Sequence, residues 1–325
     1  MDSNAEDRSV NSPRYLQIQH EDQGAIRAEV LAGLTASSPS IAPKYLYDAL
    51  GARLFAAITE LPEYYPTRTE AAIFATHRDS IAGTVGRVAT LVDLGAGNCE
   101  KAERLFETLH VGRYVAVDIS IEYLRESLAR LQHDHPAIEM VGVGTDFSQS
   151  LSLPAEAGDG PRTLFYPGSS IGNFTPEKAL AFLRQGHAEC RGGSLLIGVD
   201  LVKPAALLER AYDDSLGVTA AFNRNLLLHV NRLAGTDFDI ADWRHVALFN
   251  VGQSRIEMHL EAQRATTVRW ADGERQFAAA ERIHTENSYK WRLPDFQELL
   301  AEAGFSASRH WCDSREWFAV LEAKA

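Results

Sequence analysis

Residues 90–98 read TLVDLGAGN, and this stretch decides the fold. Thr90 to Leu94 are a short run rich in Leu and Val, as a strand buried on both faces should be. Gly95 and Gly97 follow at once, permitting a tight turn and a close backbone approach to a ligand. Ala102, Leu105, Phe106 and Leu109 then fall at i, i+3, i+4 and i+7, the apolar stripe of a helix. Working outward, the same alternation recurs. Strand-like runs lie at 114–117 (YVAV), 138–143 (IEMVGV), 163–166 (TLFY) and 194–199 (SLLIGV). Ile121, Leu124, Leu128 and Leu131 form a second helical stripe, and Thr175-Pro176 reads as an N-cap with Pro at N1, opening a helix through Leu183. Strand and helix in alternation predict an α/β fold with a mainly parallel sheet.

The pattern changes beyond Asp200. Residues 201–244 read as helical, and strand-like runs follow at 245–250, 255–260 and 266–270. The chain ends on a helix over 295–303 and strands at 307–312 and 318–321. Residues 1–75 read as mostly helical. Four parts are therefore expected: an N-terminal helical segment (1–75), a Rossmann-like core (76–200), an inserted mixed α+β lid (201–288) and a return to the core sheet (289–325). The first and third parts are expected to cover the carboxyl edge of the sheet, where open α/β sheets bind ligands.

The totals narrow the function. The chain has 325 residues and a net charge of -12, which counts against nucleic-acid binding because phosphate contacts need a basic face. Cys99, Cys190 and Cys312 are widely spaced, which argues against a disulfide framework or zinc site and suits a reducing cytoplasm. His133 and His135, in HDHP, read as a solvated polar turn, and no metal is expected. No run approaches the ~18 apolar residues of a membrane helix. The first 17 residues are polar, are expected to fray, and lack the apolar core of a secretory signal.

Two further strand ends make the glycine turn specific. Asp118 closes the second strand, 21 residues beyond Gly97 (118 − 97), where an acid accepts hydrogen bonds from both hydroxyls of a ribose. Asp146-Phe147 follows the third strand and offers a carboxylate and a ring face to an adenine. The third glycine of a dinucleotide fingerprint is absent, since Glu100 stands there. That weakens a nicotinamide-dinucleotide reading and favours a nucleoside without phosphates, such as S-adenosylmethionine. Lys101 is open between a solvated lysine and an ammonium turned to the cofactor's carboxylate.

Several segments are unlike ordinary loops: LPEYYPTRTE (61–70), GSSIGNFTP (168–176), AYDDSLGVTAAFNRN (211–225) and TENSYK (285–290). Together they supply the amide, phenol and carboxylate groups that hold a zwitterion. With PKYLYDALGARLF, DLGAGNCEK, DLVK and RIEM, these runs resemble the histidine Nα-methyltransferases of ergothioneine biosynthesis from about residue 27 onward. The resemblance implies a Rossmann-like methyltransferase sheet and three successive methyl transfers from S-adenosylmethionine to the α-amine of L-histidine, giving trimethylhistidine (hercynine). It puts cofactor contacts on Gly95, Lys101, Asp118, Asp146 and Phe147. It puts substrate contacts on Tyr64, Asn173, Tyr212, Glu286 and Ser288, with Tyr47, Phe55 and Met258 lining the same pocket. Asn173 is expected to orient the amine, Tyr64 and Tyr212 to bind the carboxylate, and Glu286 and Ser288 to hold the imidazole. Tyr47 or Phe55 is expected to face the growing positive charge. Such an enzyme is expected to be a cytoplasmic monomer acting on a small molecule. The rival readings are an N-methyltransferase of tryptophan or an aromatic amine, a dinucleotide-dependent oxidoreductase, and a non-catalytic amino-acid sensor.

Overall fold

The computed structural model describes residues 12–18, 22–119 and 121–325. The first strands are β1 (Arg14–Gln17), β2 (Thr90–Leu94), β3 (Arg113–Asp118), β4 (Glu139–Gly144), β5 (Thr163–Tyr166) and β6 (Ser194–Asp200). A second layer follows with β7 (Trp243–Asn250), β8 (Arg255–Ala262), β9 (Thr266–Trp270), β10 (Gly273–Phe277) and β11 (Arg282–Tyr289). The chain returns with β12 (Ala307–Cys312) and β13 (Phe318–Lys324).

The main sheet runs β1-β4-β3-β2-β5-β6-β13-β12. It is parallel except at β13, which pairs antiparallel with both β6 and β12. Strands β2 to β6 are buried along nearly their whole length, which is why each reads as a continuous apolar run rather than an alternating one. The chain moves outward from β2 to β3 and β4, then crosses to β5 and β6 on the other side. The order therefore reverses at β2, and the carboxyl ends of β2, β3 and β5 open a crevice.

All five core strands lie within one residue of their expected bounds. The helix opened by Thr175 does not stop at Leu183; it runs Pro176–Cys190, because Leu183, Gly186 and Cys190 continue its buried face. Three further differences stand out. The N-terminal segment contributes the edge strand β1, which pairs parallel with β4. Four residues carry too little periodicity to be read, and the strand exists because Tyr15 and Gln17 pack over Gly142 and Gly144. His133 lies in the last turn of helix Ile121–Asp134, so HDHP is not all turn. His135 packs edge-on against Phe106 and contacts Glu103 at 3.3 Å. Strands β10 and β11 were not expected. Both are dominated by polar residues, and β11 is buried only because the tertiary fold covers it. The expectations for residues 1–11 lie outside the described residues.

The second layer holds the three-stranded sheet β11-β8-β7, the hairpin β9-β10, and helices Ala205–Tyr212 and Val218–Ala234. Leu34, Leu46, Ile58 and Tyr64 from the N-terminal segment share one core with Leu226, Trp243, Ile256 and Met258 from the insertion. Two distant parts of the chain thus fold into one unit. Its strand β11 is stitched to the carboxyl end of β6: the Trp291 N–H donates to the Asp200 carbonyl at 2.9 Å and the Val202 N–H to the Trp291 carbonyl at 3.0 Å.

Candidate active site

Two adjoining regions meet at the carboxyl edge of the main sheet. The first is built by the turn after β2. Gly95 and Gly97 take left-handed backbone angles, φ +74° and +53°, which L side chains adopt at a cost. The Gly95 and Ala96 N–H groups both donate to the Val117 carbonyl, at 2.8 and 3.1 Å, and the Gly97 N–H donates to Asp118 Oδ2 at 3.0 Å. Asp118 therefore fastens the glycine turn as well as facing the crevice. Phe147 comes within 3.7 Å of where a Gly95 Cβ would sit, so the third strand end closes on the same turn. Asp146 accepts from the Ser148 N–H at 3.1 Å, from Gln149 at 3.0 Å and from Lys44 at 3.4 Å. Lys44 comes from the N-terminal segment, which thereby grips the core beside this region.

Lys101 keeps 39% of its side chain exposed, yet it is tied to a buried acid. Its Nζ lies 2.8 Å from Glu70 Oε2, and Glu70 is only 2% exposed. The other Glu70 oxygen accepts the Gly168 N–H at 2.7 Å. Lys101 is thus held where the first region meets the second.

The second region is a partly open pocket. Tyr47, Phe55, Tyr64, Asn173, Tyr212, Met258, Glu286 and Ser288, singled out from the sequence, all line it. They come from seven separate segments. Tyr47 follows the 3-10 turn Pro43–Leu46, Phe55 lies on helix Ala49–Thr59, and Tyr64 precedes helix Tyr65–Thr76. Asn173 ends the 3-10 turn Ser170–Asn173 beyond β5, and Tyr212 ends helix Ala205–Tyr212. Glu286 and Ser288 sit two apart on β11, so both side chains leave the same face, and Met258 is the cross-strand partner of Glu286. A bulge between His284 and Glu286 sets that facing. Gly172 brings Asn173 against β11: a Cβ there would lie 2.9 Å from the Tyr289 carbonyl oxygen.

One wall is aromatic. Tyr47 meets Phe55 and Phe222 at centroid distances of 5.5 Å each, and Tyr64 meets Phe55 at 6.1 Å and Tyr212 at 6.0 Å. The rest of the lining is mostly polar. The Tyr212 and Ser288 hydroxyls lie 2.7 Å apart. Glu286, 7% exposed, is neither a cap nor a surface residue. Burial pushes its carboxyl up to about 7, against the opposing pull of Lys290 and a hydrogen bond from Asn173. Asn173 is part-exposed, and its amide engages Glu286. Burial is also the main cause that raises the Tyr47, Tyr64 and Tyr212 phenols well above their ordinary value, so all three keep their protons near neutral pH.

Sequence reasoning missed Phe222, Glu70 and the buried charges Asp200, Lys203 and Lys290. Phe222 lies inside the stretch 211–225 but was not singled out. Lys290 and Asp200 carry no local signal, since a lysine ending a strand usually reaches solvent.

A sheet whose order reverses at a glycine turn, with acids on successive strand ends and a pocket at its carboxyl edge, is the architecture of a Rossmann-like S-adenosylmethionine-dependent methyltransferase. The chain belongs to the histidine-specific, S-adenosylmethionine-dependent methyltransferase family, whose model matches residues 26–325. It is 44% identical over 296 residues to a histidine N-alpha-methyltransferase of Mycolicibacterium smegmatis, covering 89% of this chain and 91% of that protein. It is 42% identical to one of Mycobacterium tuberculosis, covering 94% and 97%. A Neurospora crassa relative named ergothioneine biosynthesis protein 1 is 32% identical, covering 86% of this chain and 32% of that longer protein.

Proposed function

We propose that this enzyme methylates the α-amine of L-histidine three times, yielding hercynine for ergothioneine biosynthesis. The observation that carries the reading is the pairing of Glu286 and Ser288 on one face of β11, within a pocket that also presents Asn173 and two protonated tyrosines. Buried imidazole must find an acceptor for its N–H, and an ionised Glu286 supplies one. An indole N–H could use the same acceptor, but an indole has no second ring nitrogen for Ser288 to meet, which disfavours tryptophan. The names of the 44% and 42% identical relatives support the same substrate.

The crevice residues suit a nucleoside methyl donor: the Gly95 turn leaves room for close approach, Asp118 faces ribose hydroxyls, and Phe147 flanks the base. Lys101, between crevice and pocket, suits the donor's carboxylate. S-adenosylmethionine supplies an electrophilic methyl on a sulfonium, and no metal is needed.

The chain's own residues align and polarise. Asn173 gives its N–H to Glu286, so its carbonyl oxygen is left to orient the amine. Tyr64 and Tyr212 donate hydrogen bonds to the substrate carboxylate, and their raised pKa values bar them from acting as bases. Tyr47 keeps its proton too and serves as aromatic wall: with Phe55 it faces the developing ammonium, a cation–π attraction of about 1 kcal/mol. No strong base is required, because an α-amine with a pKa of about 8 is partly neutral at working pH. Converting an α-ammonium into a quaternary nitrogen forms three N–C bonds, breaks three S–C bonds and releases three protons. We place the enzyme in the cytoplasm as a monomer acting on a free amino acid, away from nucleic acid and membrane. Mass spectrometry of histidine incubated with enzyme and excess S-adenosylmethionine tests the reading. Trimethylhistidine is expected; unmodified histidine, or a product that stalls at one methyl, defeats it.

A further inference from the structure

Beneath the pocket lies a group of charges closed off from water. Asp200, at the end of β6, is 0% exposed. It accepts from Lys290 Nζ at 2.8 Å, from Lys203 Nζ at 2.5 Å and from the Tyr65 hydroxyl at 2.6 Å. Burial pushes its carboxyl up, but the two ammonium groups outweigh it and hold Asp200 below its ordinary value. Two buried lysines share this one buried carboxylate, and the next acid to feel Lys290 is the buried Glu286. Burying such charges costs more than their mutual attraction returns, so stability alone gives little reason for them.

The direction of the remaining bonds is informative. The Lys290 side chain is 0% exposed, and its Nζ lies 3.1 Å from the Tyr212 hydroxyl and 2.8 Å from Ser288 Oγ. An ammonium has three N–H donors and no acceptor. Asp200, Tyr212 and Ser288 use all three, so both hydroxyl oxygens must accept from Lys290. The hydroxyls also touch each other at 2.7 Å, and one of their two hydrogens spans that contact. The other hydrogen is left over, and both residues line the cavity.

We propose that Lys290 is a positioning residue: anchored on Asp200, it turns the Tyr212–Ser288 hydroxyl pair so that the pocket presents a hydrogen-bond donor to the substrate. Rested on the histidine reading above, this gives the polar wall two opposite characters. Glu286 accepts from one ring nitrogen of a neutral imidazole, and the hydroxyl pair donates to the other nitrogen or to the carboxylate. The same ammonium favours the ionised form of Glu286, which also faces Asn173 and the phenols of Tyr47, Tyr64 and Tyr212. Without Lys290 the hydroxyls are free to turn lone pairs toward the ring, and a wall that read one tautomer ceases to do so.

The test is steady-state kinetics with histidine across pH for Lys290→Met and Lys290→Gln, with S-adenosylhomocysteine affinity measured alongside. For Lys290→Met, KM should rise about 10- to 100-fold, the loss of a charge-assisted hydrogen bond, with a much smaller fall in kcat. The acid limb of kcat/KM should move to higher pH, and S-adenosylhomocysteine affinity should hold. Lys290→Gln keeps a donor without the charge and should recover part of KM while keeping the shifted limb. Adding Ser288→Ala should cost wild type affinity but cost Lys290→Met nothing more. An unchanged KM, strictly additive effects of the two substitutions, or an equal loss at every pH together with lost cofactor affinity overturns the proposal. Should neither variant fold, ¹⁵N-lysine spectra of the wild-type enzyme decide: a slowly exchanging ammonium signal that shifts on adding histidine supports it, and the lack of any such shift overturns it. Failure of wild type to methylate histidine is a separate outcome and sinks the substrate reading itself.

Discussion

Glu286 is a glutamate that burial pushes up to about 7 while Lys290 and Asn173 pull it back, so its charge is finely poised at working pH. The ordinary carboxyl is ionised well below neutrality, whereas this one gains its charge as pH rises through about 7. Binding an imidazole N–H needs the charged form, so kcat/KM for histidine should climb across that interval. Glu286→Gln should remove that limb and leave the limb set by the substrate amine; an identical profile in both proteins would show that Glu286 does not titrate in function. Glu286→Ala leaves the imidazole N–H unpaired at a cost of about 1–3 kcal/mol, or roughly 5- to 150-fold in kcat/KM. It also enlarges the pocket, so turnover of tryptophan or phenylalanine should hold or rise. Equal losses for all three substrates, in a variant that melts as wild type does, would mean Glu286 does not read the ring. In the crevice, Asp118→Ala removes an acceptor from the ribose hydroxyls and from the Gly97 N–H, and should weaken S-adenosylhomocysteine by about 1.5–3 kcal/mol. Unchanged affinity by calorimetry would place the ribose elsewhere.

Among the elements, β11 and the turn before it matter most to the pocket. Glu286 and Ser288 share a face only while the bulge after His284 is kept, and Asn173 reaches them only because Gly172 has no side chain. Gly172→Ala puts a Cβ 2.9 Å from the Tyr289 carbonyl oxygen and 3.2 Å from its nitrogen. Both neighbours are backbone, so the turn must retreat from the strand. Histidine KM should rise while S-adenosylhomocysteine affinity stays as in wild type; parallel loss of both would show that the turn supports the crevice as well. The core strands were legible because burial on both faces writes itself into sequence as an unbroken apolar run. β11 was not: RIHTENSY alternates polar groups with distant partners, Ser288 meeting Tyr212 across 76 residues of chain, and no window of eight residues contains them.

At the scale of the molecule, the pocket is the seam between the main sheet and a unit made from two distant parts of the chain. Tyr47, Phe55 and Tyr64 come from the N-terminal part, Tyr212, Met258, Glu286 and Ser288 from the insertion onward, and Asn173 from the core. Ligands that fill the seam should therefore stabilise the whole fold, by about 2.7 kcal/mol at a hundredfold excess over Kd. S-adenosylhomocysteine should raise the melting temperature, and histidine should raise it further in its presence. A histidine effect that is absent both with and without the cofactor product would argue that the amino acid does not occupy this cavity. The sequence by itself determined the alternation of strand and helix, the glycine turn, the acids at its neighbouring strand ends and, through long shared runs, the residues of the pocket, because each is a local pattern or a matched string. Only the tertiary structure decided that Lys101 is held by a buried Glu70, that Glu286 stands beside Asn173, and that Lys290, Lys203 and Asp200 lie sealed beneath the substrate wall. Those are properties of pairs brought together across the chain. A residue's charge, burial and hydrogen-bond direction depend on its partners, and the partners are chosen by packing rather than by neighbours in sequence.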